Sequence, residues 1–350
     1  MKKSAFILLL LLSISAFAFA QDVPKAAQDL SKQDTTNPAA LKKLESEPQP
    51  NADSKPVALT FAPLADSKKF TLIAYGDTRF SDPKETAATN PEVRVALVKQ
   101  IASEKPSAVL ISGDLPWHGG DENDWNQYEV ETKPWRDAGI HVYPALGNHE
   151  LNGGDEKGIN FWWAHFPELK GSRWYSVRIG NCLVLSLDSN SKLGDGSPQT
   201  DWIKTQLSAA PKDIDFVLFT MHHPAYTDSF PTPAGGHSAR KQEQDFAAML
   251  EKIQPTVRAR FLVVAGHVNN YERFEHNGVV YLTSGGGGAK PYPIDRSADA
   301  LYKYEKVNYH YIRLSVDGRT LSAHMFRWED DGKAGKFVAR DSFTLNASSK

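Results

Sequence analysis

Cysteine is nearly absent from this chain: Cys182 is the only one in 350 residues. A single thiol excludes an internal disulfide and a thiolate zinc site. Cys182 opens the apolar run Cys182–Leu187 and reads as a buried strand residue. A surplus of one charge is missing too. Lys and Arg number 40 against 42 Asp and Glu, for a formal net charge of −2. With no basic excess to neutralise phosphates, a general nucleic-acid binder is excluded. After the first twenty residues no stretch is apolar enough to span a bilayer, and no internal repeat is visible. A chain with these absences must be stabilised by its core, and it is long enough to build one.

What is present begins with Met1-Lys2-Lys3, an apolar run from Ala5 to Ala20, and the small-residue signature Ala18-Phe19-Ala20 before Gln21. That pattern reads as a secretory signal peptide over residues 1–20. The run is about 16 residues, short of the roughly 20 that a spanning helix needs. No cysteine follows it to take a lipid. The expectation is a periplasmic or secreted protein with no membrane span once the signal is removed. Residues 21–65 are rich in Ala, Pro, Lys, Asp, Ser and Gln and poor in aromatics. They read as a flexible linker, leaving 66–350 as one catalytic domain.

From Lys69 onward strands and helices alternate. Expected strands are Phe70–Gly76, Ala108–Gly113, His141–Leu146, Cys182–Asp188, Phe216–Met221, Phe261–Ala265, Val279–Thr283, Tyr309–Val316 and Leu321–Arg327. Expected helices are Pro91–Glu104, Thr200–Ala209 and Ala239–Ile253, with Pro91 where a first turn tolerates it. The early β-α-β order implies parallel strands. The late strands, joined by turns such as Asp317-Gly318, imply antiparallel pairing. The class is therefore α/β with an α+β tail.

Five short motifs punctuate this pattern: Gly76-Asp77-Thr78-Arg79, Gly113-Asp114, Gly147-Asn148-His149-Glu150, His222-His223-Pro224 and Gly266-His267-Val268-Asn269. Each ends or follows an apolar, β-prone run, so oxygen ligands and imidazoles arrive from strand ends at one point. A two-metal site for attack on phosphate esters is built in this way. In this order the motifs resemble the calcineurin-like metallophosphoesterases, and most closely their purple acid phosphatase-like branch, over residues 69–285. Tyr271-Glu272-Arg273 and the run Ser284–Gly288 also match that branch.

The resemblance implies a four-layer αββα sandwich of two mixed β-sheets flanked by helices. It implies two divalent metal ions, drawn from Mn, Zn, Fe, Mg or Ca, and a small phosphorylated substrate. Asp114 would bridge the two ions. Asp77 would hold the first, and Asn148, His222 and His267 would complete the second. His149 would assist the leaving oxygen, oriented with its neighbours by Glu150. Arg79 stands where many relatives carry a ligating His; a guanidinium grips phosphate oxygens instead, or serves in an ion pair. His223 is read as supporting. His237 is read as reaching substrate from a loop, or as a plain loop residue. Plant-type relatives carry a leading β-sandwich of roughly 100 residues, which the segment before residue 66 is too short to form.

Two positions depart from the branch. Asn269 replaces the His that binds the first metal, and Trp117 stands where a ligating Tyr is placed. An amide oxygen is a weaker donor than imidazole for Zn or Fe and suits Mn, Mg or Ca. No tyrosinate-to-iron colour is expected, and His118 is a candidate substitute ligand. The first position is thus read as an oxygen-rich site for a hard cation, as one filled when phosphate bridges both ions, or as empty. The expected function is an exported phosphoesterase in which a hydroxide held by the metals attacks phosphorus. The alternative is a catalytically impaired metal- or phosphate-binding protein of the same fold.

Overall fold

The computed structural model describes residues 54–232, 236–330, 332 and 335–348. The expected signal peptide and most of the expected linker lie outside these residues. In chain order the elements are β1 (Val57–Thr60), β2 (Lys69–Tyr75), α1 (Pro91–Glu104), β3 (Ala108–Ile111), α2 (Glu122–Glu131), α3 (Lys133–Asp137), β4 (His141–Pro144), α4 (Asp155–His165), β5 (Tyr175–Ile179), β6 (Cys182–Ser186), α5 (Pro198–Ala209), β7 (Phe216–Thr220), α6 (Lys241–Ile253), β8 (Arg260–Ala265), β9 (Tyr271–His276), β10 (Val279–Ser284), β11 (His310–Asp317), β12 (Thr320–Asp330) and β13 (Gly335–Asn346).

The strands make two mixed sheets. One has seven strands in the order β1-β5-β6-β7-β8-β10-β9, and the other has six in the order β13-β12-β11-β2-β3-β4. In the smaller sheet β2, β3 and β4 run parallel, and β11, β12 and β13 add antiparallel pairs. In the larger one β6, β7, β8 and β10 run parallel, with β5 antiparallel to β6 and β9 antiparallel to β10. The mixed two-sheet fold with flanking helices is thus the one the motifs implied.

Period-2 alternation explains how both faces of a sheet are covered. Cys182, Val184, Phe216, Leu218, Leu262 and Val264 join Leu72, Ala74, Ile312 and Leu314 of the smaller sheet in one core cluster. The residues between them, Leu183, Leu185, Val217, Phe219, Phe261 and Val263, pack with Ile203 of α5 and with Phe246 and Leu250 of α6 in a second. Helix α1 starts where its sequence says it should: the Asn90 side chain caps it by accepting from the Val93 N–H at 3.2 Å, and Pro91 takes the first turn. It buries Leu97, Val98 and Ile101.

Several elements go beyond the sequence reading. The linker expected to run to residue 65 is already ordered at β1, which pairs parallel with β5, Val57 opposite Tyr175. Its alternating half-burial, typical of an edge strand, left too weak an apolar signal. Strands β5, β9 and β13 were also passed over because charged residues interrupt their apolar pattern. Helix α2 looked like a loop because its sequence is mostly polar, yet it buries Trp125 and Tyr128 and is capped by Asp121.

Candidate metal centre

The motifs sit at the carboxyl ends of parallel strands from both sheets. Asp77 follows β2, Asp114 follows β3, and Asn148 and His149 follow β4 in the smaller sheet; His222 follows β7 and His267 follows β8 in the larger. Asp77, Asp114 and Asn148 thus come from one sheet and His222 and His267 from the other, while Asn269 follows β8 with His267. Backbone geometry bends sharply here. Six non-glycine residues have positive φ among the described ones, and four of them are Asp77 (56°), Arg79 (47°), Asp114 (57°) and His267 (69°). Each such residue costs of order 1–3 kcal/mol, which a fold tolerates where the surroundings over-determine the conformation. Gly113 (φ 95°) shows why motif two begins with glycine: a Cβ there would lie 2.7 Å from the Gly147 nitrogen and from His222 Nδ1.

Around Asn148 the packing is tight. Its Oδ1 lies 2.9 Å from His222 Nε2 and 3.1 Å from His267 Nδ1, and those two ring nitrogens are 3.1 Å apart. His222 Nδ1 lies 2.9 Å from the Ser112 carbonyl. It therefore carries the proton, which leaves Nε2 with a bare lone pair aimed at the Asn148 oxygen. Burial lowers the pKa of His222 despite Asp114, and lowers that of His267 further, with His237 and His223 adding to the effect. With His222 Nε2 unprotonated, that nitrogen, the Asn148 oxygen and His267 Nδ1 offer three lone-pair donors converging on one point when His267 carries its proton on Nε2. The donor set therefore fits a divalent ion.

Asp114 joins this group to the other half of the centre. Its Oδ1 lies 3.3 Å from His222 Nε2 and accepts from the His149 N–H at 3.0 Å. Its Oδ2 is buried with no hydrogen-bond partner. Burial works against the charged form of Asp114, but His222, His149 and Arg79 together hold its carboxyl below the usual range. Asp77 behaves in the opposite way: burial, followed by the Asp114 charge, raises its pKa well above normal. Both Asp77 oxygens accept from the His267 N–H, at 3.1 and 2.9 Å. Ligand atoms of Asp77, Asp114 and His222 all lie within 4.8 Å of one another. Asn269 is buried, and its Oδ1, like Asp114 Oδ2, has no partner. Orphaned buried oxygens such as these also fit a cation, and an oxygen donor suits a hard one.

The remaining expected residues surround this core. The Glu150 carboxylate accepts from the N–H groups of Gly147, Asp114 and Leu115 at 2.7, 3.0 and 2.6 Å, tying motif two to motif three. Burial and Asp114 raise its pKa to about 8. His149 directs Nδ1 to the Trp117 carbonyl at 2.7 Å and Nε2 toward Asp114 Oδ2 at 3.8 Å. Burial pulls its pKa down to about 3. Arg79 Nη2 is 3.6 Å from Asp114 Oδ2, and its Nε is buried without a partner. The His237 ring lies 3.9 Å from that of His267. His223 packs its ring 4.3 Å from that of His267 and directs Nδ1 to Ser189 Oγ at 2.8 Å, a supporting position. His118 turns away to Asp124, 3.2 Å from Nδ1, and leaves the centre without the substitute imidazole considered for it.

Two supporting residues were not read from the sequence. Trp117 stacks on His149 at 4.6 Å between ring centroids and lies under the Arg79 guanidinium at 4.7 Å. Arg94, buried on α1, pairs with Glu131 and donates to the Arg79 carbonyl at 2.8 Å. A lone arginine on an amphipathic helix gives no sequence signal for such a role. Trp117 was legible as a departure but not as a packing partner.

Comparison with known proteins agrees with this geometry. A family profile described as calcineurin-like phosphoesterase matches residues 70–271. A phosphoenolpyruvate phosphatase of Allium cepa is 22% identical over 282 residues, which is 68% of this chain and 56% of that protein. An Fe(3+)-Zn(2+) purple acid phosphatase of Arabidopsis thaliana is 24% identical over 285 residues, 69% of this chain and 57% of that protein. The chain thus spans a little over half the length of these curated relatives. Among solved structures, a purple acid phosphatase from yellow lupin (Lupinus luteus) seeds superposes with a TM-score of 0.65 at 20% identity, over 80% of this chain and 54% of that one. That likeness is one of fold.

Proposed function

The chain belongs to the calcineurin-like phosphoesterase family, and from that premise we propose that it hydrolyses small phosphate esters at a pair of divalent cations, the first of them held in a modified, oxygen-rich position. Asp114 carries the reading. One of its oxygens lies beside His222, and the other is buried and unpartnered. Asn148, His222 and His267 would hold one ion with Asp114, and Asp77 and Asn269 would hold the other. When bound, the ions supply Lewis acidity that activates water and polarises the phosphoryl group.

The chain's own residues do the rest. Arg79, with a free buried Nε, offers a fixed positive charge to the phosphate oxygens. His149 has its Nδ1 proton committed to the Trp117 carbonyl, so Nε2 is the atom that meets the leaving oxygen. A dianionic phosphate beside it offsets the cost of protonating a buried ring, and Nε2 then donates. His237 would touch substrate from above His267. The amide oxygen of Asn269 favours Mn, Mg or Ca at that position over Zn or Fe. Localisation in the periplasm or outside the cell is part of the same proposal, resting on the apolar run at Ala5–Ala20. Among the described residues no helix is long and apolar enough to cross a membrane.

Turnover of p-nitrophenyl phosphate after addition of manganese, with Asp114→Asn as the control, tests the reading. Inertness of the native chain toward a wide panel of phosphate esters at every cation tried overturns it. A second reading, a binder of metal and phosphate without turnover, is favoured by Asn269 and Trp117. It requires binding of phosphate by a chain that retains a single ion.

A further inference from the structure

Asp188, Ser189 and Asn190 belong to none of the five motifs, yet they follow strand β6 as the motifs follow theirs. Asn190 is 8% exposed, and its Nδ2 donates to the carbonyls of Leu146 at 3.1 Å and Gly147 at 3.2 Å. Those carbonyls belong to the two peptide planes that flank the Gly147 Cα, immediately before Asn148. Glycine restricts its own backbone least of all residues, so this turn needs an external constraint. Asn190 is itself held. Its backbone N–H and its Nδ2 donate to Asp188 Oδ1 at 2.9 and 3.0 Å, and the other Asp188 oxygen takes Arg173 Nε at 2.6 Å. Gln199, in the first turn of α5, clamps the Asp188 backbone from both sides, accepting from its N–H at 2.8 Å and donating to its carbonyl at 2.9 Å.

We propose that Asn190 is a positioning residue for the cation site: by bridging the peptide planes around Gly147 it aims the Asn148 oxygen at His222 Nε2 and His267 Nδ1. The proposal rests on the phosphoesterase reading only in taking those three atoms as ligands. A neutral amide oxygen is a weak donor whose contribution depends on orientation. Loss of a group that orients a metal ligand costs about 10–100-fold in metal affinity. Ser189 extends the same device to the fourth motif, since its Oγ accepts from the His223 N–H at 3.0 Å.

The test is titration of the full metal-free chain with manganese, counting bound ions and their dissociation constants, for the native protein, Asn190→Asp and Asp114→Asn. In Asn190→Asp a carboxylate oxygen replaces Nδ2 against the Leu146 and Gly147 carbonyls and cannot donate. The expected result is manganese binding weakened about 10–100-fold, with a urea midpoint of the metal-free chain that accounts for less than this loss. An unchanged dissociation constant overturns the proposal, as does a lowered urea midpoint with unchanged manganese binding. Should the aspartate variant not fold, Asn190→Ser carries the same comparison: its short hydroxyl reaches at most one of the two carbonyls. If the native chain itself binds no manganese, the phosphoesterase reading fails and takes this proposal with it. If the native chain binds and Asn190→Asp binds equally, only this proposal fails.

Discussion

On the Oδ1 side of Asp114, an amide oxygen and two neutral imidazoles stand within 3.1 Å of each other. On the Oδ2 side there is no such cluster. A guanidinium stands 3.6 Å from that oxygen, and among the other motif residues Asp77 spends both oxygens on one backbone N–H while the buried Asn269 amide oxygen is unpaired. On the proposed function the first half would suit a borderline-soft cation. The second, with Asp77 and Asn269 as its donors, would offer only oxygen and so favour a hard ion, helped by a phosphate that bridges both positions. On that reading one carboxylate divides a site whose halves differ in affinity.

The contrast can be broken outright or made sharper. Asp114→Asn removes the shared anion from both halves, and metal-dependent turnover of p-nitrophenyl phosphate should fall by roughly three orders of magnitude. A variant that retains turnover within a factor of ten would show that the halves do not share this residue. Glu272, fully buried on β9 just after the Asn269 motif, anchors the Asn269 flank by accepting from Thr227 Oγ1 and the Asp228 N–H, each at 2.7 Å. Burial raises its pKa from 4.5 to about 7. Between those values the folded chain holds a proton that the unfolded chain has released. Stability is therefore fully present below about 4.5 and falls as pH rises through 7, by about 3 kcal/mol from this residue alone. Glu272→Gln should flatten that slope in urea midpoints measured from pH 4 to 8; an unaltered slope refutes the assignment. Arg79→Ala should lower kcat about a hundredfold through loss of charge stabilisation, with KM rising as phosphate grip is lost. An effect on neither constant would place Arg79 in a purely structural ion pair. Asn269→His should tighten the weaker cation by roughly tenfold, equivalent to about 1.4 kcal/mol. Ion counts at limiting metal would read this directly, and an unchanged count argues that Asn269 does not face the ion.

What could be read from sequence follows the same division. The strand ends were legible because apolar runs such as Phe70–Tyr75 and Ala108–Ile111 give way to Gly76-Asp77 and Ser112-Gly113-Asp114, and the fold brings Asp77 and Asp114 together. Helix α1 was legible to its last residue because Asn90 and Pro91 are explicit start signals. Edge strands were not, since β1 and β13 are half-exposed and their alternation is diluted by polar residues. Residues that act through others were least legible. Asn190 lies one turn past a strand, in a segment rich in Ser and Asn that reads as ordinary loop, and only the folded chain brings it against Leu146 and Gly147, more than 40 residues away in sequence. Trp117 was noticed for what it replaced, while its stacking on His149 required coordinates.

Because Asp114 and Asn148 hang from the six-stranded sheet and His222 and His267 from the seven-stranded one, an ion held by all four would act as a rivet through the sandwich. Prising the layers apart would then mean giving up the ion. Free cation at a hundred times its dissociation constant would add about 2.7 kcal/mol to the resistance to unfolding. Chelators should therefore loosen the whole molecule as well as silence it, and the melting temperature should climb with the logarithm of cation concentration.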